Sequence, residues 1–188
     1  QARLSHPNIC HIYFVGEQHD QLFFAMEYIE GETLSERLEK RGPLPPSEAL
    51  EYCRMAALGL KEAQRHGYTH RDIKPSNLVI DPHGVVKLVD FGIVKAADRA
   101  EEGGIVGTPL YMSPEQARGE PVDFRTDIYS LGATLHQLIT GQTPFAGDTP
   151  AAVLSQQISS TRPRLISKER ARLKDAALLD QLCDRMMA

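Results

Sequence analysis

The chain has 188 residues, of which 41% are hydrophobic and 24% are charged, and its formal net charge is −4. These values are typical of a globular domain with its own hydrophobic core, and the negative charge disfavours general binding to nucleic acid or to an anionic membrane. No apolar run reaches the roughly 20 residues that span a bilayer and no signal peptide opens the chain, so we expect a cytoplasmic domain.

The cysteines and the chain ends add two expectations. Cys10, Cys53 and Cys183 are widely spaced and form no CxxC pair. This pattern favours buried thiols in a reducing compartment over disulfides or a metal cluster. The chain opens with Gln1 rather than Met, and Ala188 falls within a helical pattern. We therefore expect both ends to lie inside a longer protein, which could carry a membrane tether of its own.

The first half of the chain predicts a hairpin followed by two helices. Aromatic and β-branched runs between residues 11 and 29 indicate two strands joined by a polar turn at Glu17 to Gln21. Thr33, with Glu36 three positions later, forms a capping-box pattern that predicts the start of a short helix. Apolar residues that recur every three or four positions from Ser47 to His66 predict a long amphipathic helix.

The second half begins with strands and continues with helices. Residues 78–80 and 85–90 read as short strands joined by the turn DPHG, which predicts a second hairpin. The segment 93–122 shows little helical pattern. Three further helices are predicted, at Thr126–Thr140, from Thr149 and Pro150 onward, and at Asp175–Met187. The order of elements predicts an α+β fold.

Two polar loops flank the second hairpin. HRDIKPSN, residues 70–77, leads into it, and DFG, which starts at Asp90, follows it. Because a hairpin brings its two ends together, Asp72, Asn77 and Asp90 are expected to converge. Asn77 and Asp90 offer oxygen ligands that suit Mg²⁺, whereas Asp72 can accept the proton of a hydroxyl nucleophile. Lys74 can neutralise charge on phosphoryl oxygens, so the pattern indicates phosphoryl transfer.

Four motifs carry a family resemblance: HRDIKPSN (70–77), DFG (90–92), GTPLYMSPE (107–115) and DIYSLG (127–132). In this order and at this spacing they resemble the signature set of the eukaryotic-like (Hanks-type) protein kinases. The positions of Lys74 after HRD and of Thr108 before SPE resemble the pattern of serine/threonine kinases. The amino-acid sequences of the last two motifs are similar to those of bacterial members. The resemblance implies a protein kinase-like fold with a mostly α-helical C-lobe, ATP and Mg²⁺ as cofactors, and a protein substrate with a Ser or Thr acceptor.

The resemblance also implies a role for each matching residue of the two polar loops. Asp72 matches the catalytic base, and Lys74 matches the lysine that contacts the γ-phosphate. Asn77 and Asp90 match the two Mg²⁺ ligands, and Gly92 matches the pivot of the loop that holds Asp90.

The stretch AMEYIEG, residues 25–31, resembles the hinge that binds adenine in protein kinases. By this resemblance Met26 guards the back of the adenine pocket, and Glu27 and Ile29 offer main-chain hydrogen bonds to the base. Val79 forms part of the apolar floor of the same pocket.

Other matching positions have structural roles in the family. Asp127 is expected to bind the backbone of the HRD turn, and Thr108 to bridge the catalytic aspartate and lysine. His70 and Phe91 are expected to pack against each other and to do no chemistry. Glu115 would pair with an arginine nearer the C-terminus of the family domain, or else remain a solvated carboxylate.

The sequence departs from the family pattern at its start. None of the 188 residues forms a GxGxxG loop, a VAIK-type strand lysine or the preceding helical glutamate. We therefore predict a partial N-lobe at residues 1–29, comprising the end of its helix and one hairpin, and a C-lobe at residues 30–188 that is cut short in its last helices. Without the missing parts the isolated chain should be nearly inactive. The hairpin should also expose apolar side chains such as Phe14, Phe23 and Phe24 and promote aggregation.

The activation segment departs as well, because no Ser, Thr or Tyr lies between Asp90 and Gly107. One hypothesis is that Glu101 or Glu102 pairs with Arg71 and imitates a phosphate weakly. The alternative is a solvated acidic loop.

Two rival functions fit part of the pattern. A pseudokinase or scaffold would bind partners without turnover, and a strand lysine upstream would argue against it. A small-molecule kinase of related fold is disfavoured because GTPLYMSPE resembles the segment that docks an extended peptide.

Overall fold

The structure, a computed structural model, describes residues 4–19, 21–91, 109–159 and 176–188. Its strands are β1 (Ile12–Gln18), β2 (Gln21–Met26), β3 (Glu32–Thr33), β4 (Leu78–Ile80) and β5 (Val86–Leu88). Its α-helices are α1 (Leu34–Arg41), α2 (Pro46–Arg65), α3 (Pro114–Arg118), α4 (Phe124–Thr140), α5 (Pro150–Ser159) and α6 (Ala176–Met186). Short 3-10 helices cover Pro75–Asn77 and Pro109–Tyr111. The α+β class predicted from the sequence is confirmed.

The strands form two small antiparallel sheets. β1 pairs with β2, as the first predicted hairpin requires, and β4 pairs with β5 as the second requires. β3 adds to the second sheet through Glu32 opposite Ile80 and Thr33 opposite Val79. The sequence did not predict β3, because a two-residue strand is too short to show an alternating pattern.

Helix caps explain where the helices begin. The predicted capping box of α1 is present, since the Glu36 N–H donates to Thr33 Oγ1 (3.1 Å) and the Thr33 N–H donates to Glu36 Oε2 (2.7 Å). α4 begins two residues before the predicted start because the Asp123 carboxylate caps it and accepts from the Arg125 N–H at 2.8 Å. The five-residue helix α3 was not predicted, although Ser113 caps it with a box of its own.

The main core lies between α2, α4 and the β3-β4-β5 sheet. Leu34, Leu78, Leu88 and Leu135 are completely buried there. Cys53 of α2 and Cys183 of α6 belong to the same core, and burial raises the pKa of the Cys53 thiol. All three cysteines are buried thiols, as the sequence predicted.

A short segment before β1 joins the first hairpin to this core. Ile9 forms a parallel bridge with Leu88 of β5, and the Cys10 N–H donates to the Leu88 carbonyl at 2.9 Å. The Asn8 side chain donates to the Val86 carbonyl at 2.8 Å. Gly59 of α2 faces this junction, where a Cβ atom would lie 2.7 Å from the Asn8 carbonyl oxygen. The helix can approach so closely because the residue there is glycine.

The β1-β2 hairpin exposes aromatic side chains. Phe14 is 55% exposed and Phe23 is 44% exposed, with their ring centroids 5.8 Å apart, whereas Phe24 is half-buried. The expected exposure is thus confirmed for Phe14 and Phe23 and wrong in degree for Phe24, whose side chain is partly covered. Within the described ranges, no helix has the length and apolar character required to cross a bilayer.

Candidate active site

A buried carboxylate organises the turn before β4. Asp127 of α4 accepts hydrogen bonds from the His70 N–H and the Arg71 N–H, each at 2.8 Å. Arg71 has a φ of 69°, a left-handed conformation that costs free energy for a residue with a side chain. The two bonds hold this turn in place, as expected for Asp127. Burial raises the pKa of Asp127 to about 6, although the two N–H donors act in the opposite direction.

The turn brings three of the predicted site residues into contact. Lys74 Nζ lies 3.0 Å from Asp72 Oδ2. Asn77 Nδ2 donates to the Asp72 carbonyl at 2.8 Å and to Asp72 Oδ2 at 3.2 Å. The lysine and the amide therefore hold the same carboxylate oxygen from two sides. The side chains of Asp72 and Lys74 are 29% and 34% exposed, so this group reaches solvent.

Asp90 lies next to Asn77 through the strand pairing. Leu78 pairs with Leu88, and one step further the Val89 N–H donates to the Asn77 carbonyl at 3.1 Å. Asp90 follows Val89, is exposed, and has a φ of 56°. The two polar loops therefore meet at one edge of the sheet, as the hairpin length predicted.

The residues at this edge fit a magnesium ion. The amide nitrogen of Asn77 faces Asp72, so its amide oxygen, at the other end of the same planar group, points away from Asp72. The exposed carboxylate of Asp90 follows the residue that is bonded to Asn77. An amide oxygen and a carboxylate are hard ligands, and Mg²⁺ commonly takes one or two protein oxygens beside waters and phosphate.

His70 and Phe91 pack behind the site. Both side chains are buried, and their ring centroids are 4.6 Å apart. His70 Nε2 lies 2.9 Å from the Val89 carbonyl oxygen, which links the two loops from behind. The predicted packing role of this pair agrees with the structure.

The predicted hinge connects β2 to β3. Met26 ends β2 and is 42% exposed, while Ile29 and Val79 are half-buried. The Glu27 N–H donates to the His11 carbonyl at 2.8 Å, so this N–H is already used. The Glu27 carbonyl is therefore the better candidate for a hydrogen bond to adenine. Cys10 Sγ contacts that carbonyl at 3.5 Å, which leaves one lone pair.

Lys87 is a residue near the hinge that the sequence analysis did not identify. Its ammonium group forms an ion pair with Glu27, and the same carboxylate accepts from the His11 N–H at 3.2 Å. The hydrogen bond from Lys87 lowers the pKa of Glu27. Sixty positions separate the two residues, and only the alternation of β5 could have indicated that Lys87 points away from the core.

The described part of the segment that resembles the peptide-docking motif, from Pro109 onward, lies on the helices. Gln116 Nε2 donates to the Arg71 carbonyl at 2.9 Å and so joins α3 to the HRD turn. Glu115 is half-buried and accepts from Thr126 Oγ1 at 2.6 Å, so one oxygen of its carboxylate is bonded to α4, and its pairing with an arginine stays a prediction. Burial acts to raise the pKa of Glu115, but hydrogen bonds from Thr126, from its own backbone N–H and from Ser113 outweigh burial and lower the pKa.

Four residues of the sequence-based hypotheses, Gly92, Glu101, Glu102 and Thr108, lie outside the described residues. The pairing of Arg71 with Glu101 or Glu102 therefore stays a prediction.

Comparison with known proteins gives the same family. Residues 1–187 match the family described as protein kinase domain. The probable serine/threonine-protein kinase CPE1738 of Clostridium perfringens is 42% identical over 160 residues, which are 84% of this chain and 23% of that relative. Serine/threonine-protein kinase PknB of Mycobacterium leprae is 41% identical over 165 residues, or 84% of this chain and 26% of PknB. PknL of Mycobacterium tuberculosis is 42% identical over 166 residues, or 87% of this chain and 42% of PknL.

A solved structure supports the fold. The crystal structure of Rad53 1-466 in complex with AMP-PNP superposes with a TM-score of 0.79 at 26% identity, covering 96% of this chain and 47% of Rad53 1-466. The chain spans less than half the length of each of these relatives. The resemblance read from the four motifs is confirmed: the chain belongs to the protein kinase domain family, with bacterial serine/threonine kinases among its relatives.

Proposed function

We propose that the protein containing this chain transfers the γ-phosphoryl group of ATP to Ser or Thr hydroxyls of protein substrates. The observation that carries the proposal is the contact group of Asp72, Lys74 and Asn77 beside the turn that holds Asp90. ATP as the phosphoryl donor is supported by the family, and the related Rad53 structure was solved with AMP-PNP.

Each residue has a role that its surroundings support. Asp72 accepts the proton of the substrate hydroxyl, since its side chain reaches solvent and a positioned carboxylate can act as a general base. Lys74 supplies a positive charge 3.0 Å from that carboxylate, where negative charge on the transferred group would need compensation. Asn77 fixes the position of Asp72 through its amide nitrogen.

Asn77 and Asp90 are the residues that would hold Mg²⁺, which when bound neutralises charge on the phosphates of the nucleotide. For adenine we propose Met26, the main chain of Glu27 and Ile29, and Val79, which lie along the link from β2 to β3 and on β4. We also propose that residues 1–29 are part of an N-lobe and residues 30–188 part of a C-lobe. The protein substrate and ATP are the partners of this site.

The test is a phosphotransfer assay on the full-length protein with Mg²⁺, ATP and peptides that carry Ser, Thr or Tyr as the acceptor. We expect transfer to Ser and Thr, and we expect Asp72→Asn to lower turnover by roughly 10² to 10⁴, the usual contribution of a general base.

Asp81→Asn is a matched control on the same hairpin. Its carboxylate accepts from the His83 and Val85 N–H groups within the β4-β5 turn, so this substitution should leave turnover nearly unchanged. Transfer by Asp72→Asn at the wild-type rate, or transfer to Tyr alone, would contradict the proposal.

A further inference from the structure

The three carbonyls of Pro109, Leu110 and Tyr111 all accept hydrogen bonds from helix side chains. Gln157 Nε2 of α5 donates to the Pro109 carbonyl at 3.3 Å and to the Leu110 carbonyl at 3.1 Å. Ser130 Oγ of α4 donates to the Tyr111 carbonyl at 2.7 Å. We call this stretch, Pro109–Tyr111, the docking segment. Because its three carbonyls point towards α4 and α5, the opposite side of its backbone is turned away from these helices.

Gln157 is built into this layer and is not a surface residue. Its side chain is 3% exposed, which is unusual for an amide and requires that its polar atoms be bonded. Its amide oxygen accepts from the Tyr129 hydroxyl of α4, and its amide nitrogen serves the two carbonyls. Both ends of the amide therefore have partners, and a single side chain joins α5, α4 and the docking segment.

The Tyr129 hydroxyl determines which way the amide faces. A phenol that donates to the amide oxygen leaves only the amide nitrogen for the carbonyls. Tyr129 is 5% exposed, and burial raises the pKa of its phenol, so the hydroxyl keeps its proton at neutral pH. The reversed amide would place its oxygen against two carbonyl oxygens, which is repulsive.

Apolar packing adds to the polar anchor. Leu110 and Tyr111 pack against a second core cluster that contains Tyr129, Ala133 and Val153. The Tyr111 hydroxyl also donates to the Gln137 amide oxygen at 2.5 Å. The side chains thus hold the sides of the docking segment, whereas Gln157 holds its backbone.

We propose that Gln157 is a positioning residue for the acceptor peptide, acting through the carbonyls of Pro109 and Leu110. The inference rests on the proposed function, because the docking segment belongs to the motif that resembles the peptide-docking stretch of protein kinases. Gln157 touches neither the nucleotide residues nor Asp72 among its described contacts. Its loss should therefore weaken peptide binding and leave ATP binding unaffected.

The test uses Gln157→Glu in the full-length protein. The carboxylate can still accept from Tyr129, but it has no N–H for the two carbonyls and repels them. We expect the KM for a Ser peptide to rise by about tenfold, the scale of losing the two hydrogen bonds to the carbonyls of Pro109 and Leu110, with the KM for ATP unchanged.

Gln156→Glu is the matched control. Gln156 is the neighbouring glutamine on α5, and its amide donates to the Ala146 carbonyl at 2.7 Å, away from the docking segment. The same charge change at this position should leave both KM values as in the wild type.

Tyr129→Phe supplies a second variant that removes one hydroxyl and keeps the ring. It should raise the peptide KM less than Gln157→Glu does, because the amide loses only its orienting partner. Tyr129→Phe also tests the inference if Gln157→Glu fails to fold. Equal peptide KM values for the wild type and the folded variants, or a parallel rise in the KM for ATP, would overturn the inference. A wild-type protein that phosphorylates no peptide would instead contradict the proposed function.

Discussion

Asp127 shows how one buried side chain can determine the geometry of a solvent-exposed site. Its described hydrogen bonds go to neither Asp72 nor Asn77, yet its two acceptor contacts hold the left-handed turn that begins at His70 and leads to Asp72. Its carboxylate remains buried at a cost, because desolvation opposes ionisation and raises its pKa to about 6 from an ordinary 3.8.

The raised pKa predicts a pH dependence of stability. The folded state binds the Asp127 proton more tightly than the unfolded state does, so this contribution is fully present below pH 3.8 and is lost as the pH rises through about 6. The difference corresponds to up to about 3 kcal/mol. Denaturant unfolding of the wild type between pH 4 and pH 7 should show this loss. Asp127→Asn should be less stable than the wild type at pH 4, where the wild-type carboxyl is protonated. Its free energy of unfolding should not show this fall between pH 4 and pH 7, so its slope against pH should be smaller.

The carboxamide of the Asp127→Asn variant cannot titrate, which makes the comparison of slopes the deciding measurement. Equal slopes for the wild type and Asp127→Asn over this range would show that the buried carboxylate does not carry the effect. Asp81→Asn, on an exposed turn of the same chain, controls for general changes in charge.

The residues of the site differ in how well the sequence predicted them. Asp72, Lys74 and Asn77 lie within six positions of one another, so a single rigid turn brings them together. The Glu27–Lys87 ion pair and the Gln157 anchor were not predicted, because each depends on contacts between residues that are about 50 to 60 positions apart. No local pattern in one sequence specifies such a contact.

The junction of α2 and β5 with the segment before β1 fixes the first hairpin to the helical part. Gly59 faces the Asn8 carbonyl and the side chain of Leu88, and a Cβ atom would lie 2.7 Å and 2.8 Å from them. The close approach depends on the missing side chain.

Gly59→Ala should therefore destabilise the protein despite the better helix propensity of alanine. Overpacking costs roughly 1–3 kcal/mol, while the propensity gain is about 1 kcal/mol, so we expect a net loss near 1 kcal/mol. The measurement is the free energy of unfolding in denaturant. Leu58→Ala, at a neighbouring position that is 39% exposed, should change it by less than about 0.5 kcal/mol. A Gly59→Ala variant that is as stable as the wild type would contradict the tight junction.

Long, periodic elements were predicted well, and short ones were not. The pattern of α2 extends over 20 residues and gave its bounds to within one residue. β3 has two residues and forms through its pairing with β4, a contact that no local pattern shows. α3 has five residues between the Ser113 capping box and Gly119, too few to show a helical period. α4 begins earlier in the chain than predicted, because the Asp123 side chain caps it before the first residue of the apolar pattern.

The β1-β2 hairpin presents aromatic side chains to solvent. Exposed apolar groups on a two-stranded sheet favour association between chains. We expect the 188-residue chain alone to self-associate at micromolar concentration, and we expect Phe14→Ser combined with Phe23→Ser to reduce this. Size-exclusion chromatography with light scattering measures the effect.

The double variant Tyr28→Ser with Phe124→Ser removes two exposed aromatic rings elsewhere and serves as the control. If both double variants change the apparent mass equally, the hairpin has no special role.

The same isolated chain should transfer phosphate far more slowly than the full-length protein, because its 188 residues include no Gly-rich loop and no strand lysine to bind the nucleotide phosphates.

We propose that the two polar loops, held together by the β4-β5 hairpin, form one site for a metal ion, a nucleotide and a substrate hydroxyl. A crystal structure of the full-length protein with Mg²⁺ and a non-hydrolysable ATP analogue tests it most directly. We expect the Asn77 amide oxygen and the Asp90 carboxylate both to bind the ion, and Asp72 to lie beside the γ-phosphate without binding the ion. An ion bound elsewhere, or Asp72 and Asp90 facing separate pockets, would show that the two loops do not form one site.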